Sequence, residues 1–327
     1  MKNYFRIIFI NIFIFFTFLF FLEIAARVGI FVLRGYSTVG LNERTLNLNY
    51  QPYVMFGHNW EIEYKKLEKK NKYRIMILGG STGEGWLPDI LEDTLKKNFN
   101  IDTEVINAAH GAYNVRQQLI ILSIWGKRID PDLVITLDGT NDLLHGVRGE
   151  TAAGTFYLND TYNKYLTKPY MGSIFYLIQN SQLYNGLVRF QRRFVDLKME
   201  DSLDYVEIYL EAKKNISIIS NSFGAHHISI LQPYLGLKKI KTIEEKNSIK
   251  PFSFRDKVVK ELFKYTEKEL NILYKNDLNT THFNSQNLFN VKKRIFSGPY
   301  HFNDNYGYEI LSKKVGEILI QKKLFQN

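Results

Sequence analysis

Tyr73-Arg74-Ile75-Met76-Ile77-Leu78-Gly79-Gly80-Ser81-Thr82-Gly83-Glu84-Gly85 is the stretch on which the reading of this chain turns. A short apolar run, Arg74 to Leu78, enters a glycine-rich turn, and helical spacing follows at Leu87, Ile90, Leu91 and Leu95. A buried strand that passes through a tight turn into a helix leaves a serine hydroxyl exposed at the carboxyl end of the strand, beside the first amides of the helix. Several unrelated hydrolases mount a nucleophile in this way. Taken alone the turn has rival readings. Gly79-Gly80-Ser81-Thr82-Gly83 matches the G-x-S-x-G elbow letter for letter, although that elbow normally follows several strands. Gly79 to Gly85 also suits a phosphate cradle, but it lacks the Gly-Lys-Ser/Thr ending of a P-loop and the full G-x-G-x-x-G spacing.

The alternation continues downstream. Thr103–Ala109 predicts a second strand, Val115–Ile129 a helix and Asp132–Leu137 a third strand. His226–Leu231 predicts a fourth strand, preceded by a helix from about Leu203 to Ser222. Phe254–Tyr274 and Tyr308–Leu319 have helical spacing, the latter as the final helix. Short apolar runs alternating with helices imply βαβ units and a parallel sheet covered on both faces. The rhythm breaks between Leu143 and Ser202, where aromatic-rich helical pieces at Met171–Leu183 and Leu187–Leu197 form an insertion beside the third strand. A lid or substrate wall and an extra packing layer both fit it.

Ligand sites in open α/β sheets lie outside the carboxyl ends of the strands. Ser81 follows the first strand, Asn107 to Asn114 follows or overlaps the end of the second, and Gly139-Thr140-Asn141-Asp142 follows the third. His301 comes late, before the last helix. A nucleophile, a base and donors for an oxyanion are what acyl transfer needs.

With these residues the chain resembles the SGNH hydrolase superfamily, the GDSL-like esterases and lipases. The resemblance runs from about Tyr73 to Ile320, in four blocks in the family's order. They are Gly79-Gly80-Ser81-Thr82, with Gly80 where aspartate is commoner; Val105 to Asn114; Gly139-Thr140-Asn141-Asp142; and Tyr300-His301-Phe302-Asn303 followed by Gly307. The resemblance implies a three-layer α/β/α, flavodoxin-like domain with a parallel sheet. It implies Ser81 as nucleophile and His301 as general base. The oxyanion would be held by the N–H of Ser81, a backbone N–H at Gly111 or Ala112, and the side-chain amide of Asn141. The sequence departs from the family at two places. Ala112 stands where the family has its donor glycine, which a backbone donor survives if φ is negative. Gly298 stands where the family usually has the aspartate that holds the histidine, so a Ser81–His301 dyad is expected. Asp142 and Asp304 are the nearest acids in block or sequence, neither at the family's position. His226 and His227 abut the fourth strand and read as structural, and His110 lies in the second block without an assigned role.

The N-terminus carries a second signal. Ile7 to Leu22 is uncharged, Lys2 and Arg6 precede it, and the apolar stretch continues past Glu23 through Ile24-Ala25-Ala26. That is about the 20 residues needed to cross a bilayer. A cleaved signal peptide has the same charge order but a shorter apolar core and a small-x-small site, which Ile24-Ala25-Ala26 matches poorly. An uncleaved anchor with a cytoplasmic N-terminus is expected, with the following domain outside the cytoplasm. The domains expected are an anchor at 1–34, a connector at 35–72 and a hydrolase domain at 73–327 with its insertion at about 143–202.

Composition narrows the rest. The chain has no cysteine, which excludes a disulfide framework and a thiolate zinc site. The formal net charge of +10 is spread along the chain, with Lys65 to Lys72 the one dense run, and no nucleic-acid module accompanies it. No spacing of His, Asp and Glu suggests a metal, and no cofactor is expected. The expected activity is removal of O-acyl, chiefly acetyl, groups from surface carbohydrate, through a membrane-bound serine esterase. The alternatives are an O-acyltransferase on surface glycan and a non-catalytic glycan-binding or assembly protein that keeps the fold.

Overall fold

The computed structural model of the protein describes residues 2–34, 50–51, 53–57, 72–148, 181–184, 187, 199–249 and 253–325. The chain divides into two compact units. One comprises Met1–Asn49 with Leu158–Asp196, the other Tyr50–Tyr157 with Leu197–Asn327.

In the first unit, α1 (Lys2–Arg34) is a helix of 33 residues. Its stretch Ile8–Val28 is long and apolar enough to cross a membrane, and none of it is buried within the protein.

The second unit begins with an element inside the stretch read as connector. Strands β1 (Tyr50–Gln51) and β2 (Met55–Phe56) pair antiparallel. Phe56 is fully buried, its ring centroid 5.5 Å from that of Tyr113. Tyr113 donates its hydroxyl to the Phe56 carbonyl at 2.7 Å, and Gln117 Nε2 donates to the Val54 carbonyl at 2.7 Å. Contacts with residues far along the chain hold this hairpin, so its own sequence has no periodicity.

The main sheet holds β3 (Tyr73–Gly79), β4 (Thr103–Asn107), β5 (Leu133–Asp138), β6 (His226–Leu231) and β7 (Thr280–His282). All pairs are parallel, in the order β4-β3-β5-β6-β7. The four expected strands are therefore members of one sheet, a three-layer α/β/α arrangement. The interior strands β5 and β6 are buried along their whole length, as strands covered on both faces of a parallel sheet are. β4 stops at Asn107 rather than Ala109, because the Asn107 side chain accepts from the Ala109 N–H at 2.9 Å and turns the chain. β7 had no apolar signature: it is three residues, two threonines and a histidine, paired only with β6.

Nine helices are described in all, among them the short α2 (Ser81–Glu84) and then α3 (Pro88–Phe99), α4 (Val115–Ile129), α5 (Thr140–Arg148), α6 (Leu203–Ser222), α7 (Ile243–Ile249), α8 (Ser253–Leu273) and α9 (Asn305–Gln321). Pro88 starts α3, where its missing N–H costs nothing. Asn114 and Gln117 form a reciprocal capping box at the start of α4. Asp304 caps α9 by accepting from the Tyr306 N–H at 3.0 Å. The third strand's helix continues to Arg148, because Leu143, Leu144 and Val147 bury at helical spacing, so the break in rhythm comes later than Leu143. The pieces expected at 171–183 and 187–197 lie outside the described residues, apart from 181–183 and 187.

Strand alternation sends two kinds of side chain to the two faces. Leu133, Ile135 and Leu137 join Ile75, Ile77, Ile228 and Ile230 in an apolar core with Leu91 and Leu95 of α3 and Leu311, Val315 and Leu319 of α9. The opposite face buries polar groups under α6. Lys213 donates to Asp138 Oδ1 at 3.2 Å and also bonds Thr136, Tyr209 donates to Asp138 Oδ1 at 2.7 Å, and His227 Nε2 lies 3.0 Å from Thr136 Oγ1. Burial, with Lys213 close by, holds His227 well below the ordinary imidazole range, so it is neutral and structural. Burial likewise lowers His226 to about 4, with its Nε2 2.9 Å from Thr281 Oγ1.

Candidate active site

The strand order places β3 between β4 and β5, and this is where the winding of a doubly wound sheet reverses and leaves a crevice. Ser81 starts α2 directly after β3, and Asn141 lies in the first turn of α5 after β5. Gly80 allows their approach: a Cβ at that position would lie 2.7 Å from Asn141 Nδ2 and would push it from the Tyr113 carbonyl. Gly139, at φ 97°, reverses the chain from β5 into α5, a conformation that glycine adopts without strain.

Ser81 Oγ lies 2.7 Å from His301 Nε2, across 220 positions of sequence. Ser81 is partly buried and His301 exposed, so the pair is open to solvent. With the proton on Nδ1, His301 Nε2 accepts from the serine hydroxyl, the geometry of a nucleophile with its general base. The His301 loop is a tight excursion. Phe296 and Phe302 form an antiparallel bridge and are both buried, and the Ser297 N–H donates to the His301 carbonyl at 3.1 Å.

Asn141 Nδ2 donates one hydrogen to the Tyr113 carbonyl at 2.8 Å, which leaves its second for a ligand. Among the described residues, no hydrogen bond uses the backbone N–H of Ser81, Gly111 or Ala112. Ala112 adopts φ 66°, not the negative φ on which its tolerance was expected to rest. The position does demand the left-handed conformation that glycine takes readily, and alanine occupies it at a cost of about 1 kcal/mol or more. The capping box at Asn114 and the fixing of Tyr113 by Phe56 and Asn141 surround that turn and hold it.

The acids nearest in block or sequence are engaged elsewhere. Asp304 caps α9, and the Asp142 carboxyl accepts from the Val115 N–H at 3.1 Å. The Asp142 side chain turns into the protein, and desolvation, then the charge of Asp138, push its carboxyl up to about 8. At position 298 a Cβ would meet open space, so the turn has room for a side chain.

Several residues that brace the pair carry no sequence signal of their own. Gln232, 4% exposed just after β6, donates its Nε2 to Thr82 Oγ1 at 2.6 Å and to the Tyr300 carbonyl at 2.5 Å. Thr82 Oγ1 itself donates to the Tyr300 carbonyl at 3.0 Å. Thr82 follows Ser81 and Tyr300 precedes His301, so one buried carboxamide ties together the neighbours of both. Asn107 does the same for the nucleophile turn, donating to the carbonyls of Gly83 at 2.9 Å and Trp86 at 2.8 Å. His110 stacks beside Tyr113, with ring centroids 5.0 Å apart. His282 is held between the Ser229 carbonyl and Glu267, each at 2.9 Å. Among the described residues no group of His, Asp and Glu could hold a metal ion.

Fold and pair together define the class: an α/β/α protein of flavodoxin-like strand order with a serine–histidine pair at the point where the winding reverses. No protein-family model matches the chain, and no curated protein matches it. Solved structures similar to it include a GDSL-like lipase from Bacteroides thetaiotaomicron, at 11% identity and TM-score 0.48, covering 80% of this chain and 96% of that one. Another is a lipase from a goat rumen metagenome, at 12% identity and TM-score 0.44, covering 74% and 95%. An acetylxylan esterase from Geobacillus stearothermophilus is also similar, at 13% identity and TM-score 0.38, covering 79% and 96%.

Proposed function

We propose that this protein is a serine ester hydrolase that removes O-acyl groups, chiefly acetyl, from carbohydrate outside the cytoplasm. The observation that carries the reading is the 2.7 Å contact between Ser81 Oγ and His301 Nε2, on the sheet edge where Asn141 also lies. Ser81 Oγ attacks the ester carbonyl as His301 Nε2 takes its proton. The N–H of Ser81, an N–H of the Gly111-Ala112 turn and Asn141 Nδ2 hold the oxyanion, each such donor supporting the rate by about 10²–10³-fold. Collapse of the intermediate expels the sugar oxygen, which takes the proton from His301. Water then attacks the acyl carbonyl as His301 takes its proton, and collapse releases the acid while His301 returns the proton to Ser81 Oγ. A sugar hydroxyl in place of that water would make the reaction a transfer. The carbohydrate substrate is supported by the sequence resemblance, and the extracytoplasmic location by the charge order around the apolar helix Ile8–Val28.

The direct test is labelling with a serine-reactive fluorophosphonate, alongside hydrolysis of an activated acetyl ester. The wild-type chain is expected to take up the probe at Ser81 and Ser81→Ala to take up none. A wild-type chain that neither labels nor hydrolyses would sink the reading.

Gln232 supports a graded prediction. Gln232→Leu removes the tie between Thr82 and the Tyr300 carbonyl without touching either reacting group. A loss of alignment of this kind is expected to lower kcat by about 10–100-fold while KM for a small acetyl ester stays nearly unchanged. A KM effect with intact kcat would show that Gln232 serves binding instead. Gly298→Asp is the converse probe. Because the added Cβ meets open space, the variant is expected to fold with wild-type stability. A carboxylate there raises the imidazole pKa, so the acid limb of the pH–rate profile should move to higher pH as kcat rises. An unmoved limb would mean that the new carboxylate does not reach the ring.

A further inference from the structure

Glu23 is an acidic residue inside the apolar stretch Ile8–Val28, and its carboxylate is heavily used. Oε1 accepts from Arg27 Nε at 2.8 Å and from the Gln182 N–H at 2.9 Å. Oε2 accepts from Ser181 Oγ at 2.7 Å and from the Leu183 N–H at 3.0 Å. Ser181 Oγ in turn accepts from the Tyr184 N–H at 3.1 Å. The partners at 181–183 lie about 160 positions further along the chain, yet belong to the same compact unit as α1.

An ionised carboxylate within a membrane span is costly and is kept where it pairs. Here the partners are Arg27 one turn on and the open backbone N–H groups of a distant segment, so Glu23 is a tertiary contact and not a stray charge. Cleavage after the apolar stretch would strip those N–H groups and the Ser181 hydroxyl of their acceptor. The stretch itself is 21 residues within a longer helix, longer than the apolar core of a signal peptide.

Depth follows from the same contact. Glu23 precedes Val28, the last residue of the span, by five positions, which at the α-helical rise is about 7 Å. Whatever bonds Glu23 side-on must reach that depth, inside the headgroup–acyl boundary. The segment does so with residues suited to it. Tyr184 is 41% exposed and Leu187 61% exposed, an amphipathic ring and an apolar side chain turned away from the protein.

We propose that α1 is retained in the mature protein as the seat of the inserted segment, and that residues 181–184 and 187 lie in the headgroup–acyl boundary of the bilayer α1 spans, with lipid as the partner of Tyr184 and Leu187. This rests on α1 being a membrane span and is independent of the hydrolase chemistry.

The absence of cysteine makes the test clean. Single variants Phe16→Cys, Leu187→Cys and Leu278→Cys of the full chain are labelled with an environment-sensitive maleimide. They are reconstituted in phosphatidylcholine–phosphatidylglycerol vesicles with and without brominated lipid. Phe16 reports the span, and Leu278, 87% exposed in the α/β unit, reports a solvent-facing site. Lipid-borne bromine is expected to quench the labels at 16 and 187 several-fold more than the label at 278. Adding Glu23→Ala should abolish quenching at 187 and leave it at 16. Quenching at 16 with a label at 187 that behaves like the one at 278 overturns the proposal and leaves the anchor standing. No quenching at 16 overturns both. An intact mass lacking residues 1–34 after expression in the membrane overturns retention of α1. Hydrolysis of a soluble acetyl ester by the Glu23→Ala chain should match the wild type, and a chain without any esterase activity bears on the hydrolase reading alone.

Discussion

Ser81→Ala is expected to lower kcat for an activated acetyl ester by about 10⁴–10⁶-fold, the effect of removing a nucleophile that works as a unit with its base. His301→Ala should cost at least the roughly 10²–10⁴-fold assigned to a general base. The double variant should be little worse than Ser81→Ala, because once the nucleophile is gone there is no proton for His301 to take. Asp304→Asn and Asp142→Asn separate a dyad from a displaced triad. The hydrogen bonds described for these acids go to the Tyr306 and Val115 N–H groups, and a carboxamide oxygen keeps both. Each variant should therefore stay within a few-fold of wild type. If Asp304→Asn cost as much as His301→Ala, an acid on the far side of the histidine would be orienting it and the dyad would be wrong. Steady-state rates with the five variants decide the matter.

Lys238→Met is expected to be the most damaging change away from the reacting groups. Lys238 and Glu245 are fully buried at 2.7 Å from each other, and Lys238 also donates to the Lys293 carbonyl at 2.8 Å. Glu245 Oε1 accepts from the N–H groups of Ile295 at 2.8 Å and Phe296 at 3.2 Å, at the root of the His301 loop. Removing the cation strands a buried carboxylate, at a cost of about 3–5 kcal/mol. For a unit of this size that lowers Tm by roughly 10 °C. Lys238→Met with Glu245→Gln should recover part of the loss, since the uncharged amide still offers an oxygen to Ile295 and Phe296. Thermal unfolding of the two variants tests this, and a Lys238→Met chain melting with the wild type would overturn it. The pair also sets an acid limit. Burial alone would raise the Glu245 carboxyl, but Lys238 and the three N–H groups of Ile295, Thr242 and Phe296 hold it below its ordinary value. Its contribution is fully present above the ordinary carboxylate range and is lost as pH falls through the lower folded value. Asp142 has the opposite sign. Its carboxyl is raised to about 8, so the folded state keeps a proton that the unfolded chain releases, and stability falls as pH rises from about 4 towards 8. Asp142→Asn should flatten that slope in pH-dependent denaturant unfolding.

Most of the regular elements were legible in the sequence, for a local reason. Val115–Ile129 and Leu203–Ser222 carry their own 3.6-residue periodicity, and β3, β5 and β6 are short runs buried on both faces, each with an apolar core rich in β-branched or leucine residues. What escaped has no local pattern. β7 is three polar residues at the edge of the sheet, and the hairpin Tyr50–Phe56 is held by Tyr113 and Gln117. The φ of Ala112 also escaped, because an alanine says nothing of a turn that demands φ 66°.

By itself the sequence determined four of the main-sheet strands and the helices between them, their order, and the candidate residues Ser81, Asn141 and His301 that stand at the strand ends and before the last helix. These follow from periodicity and turn chemistry, which act within a few residues. Only the tertiary structure decided that Ser81 and His301 meet at 2.7 Å, that Gln232 ties their neighbours together, that Lys238 and Glu245 hold the His301 loop, and that Glu23 receives the segment at 181–183. Each of these joins residues brought together by strand register and side-chain packing. Their meeting is a property of the whole packed chain, which no window of sequence contains.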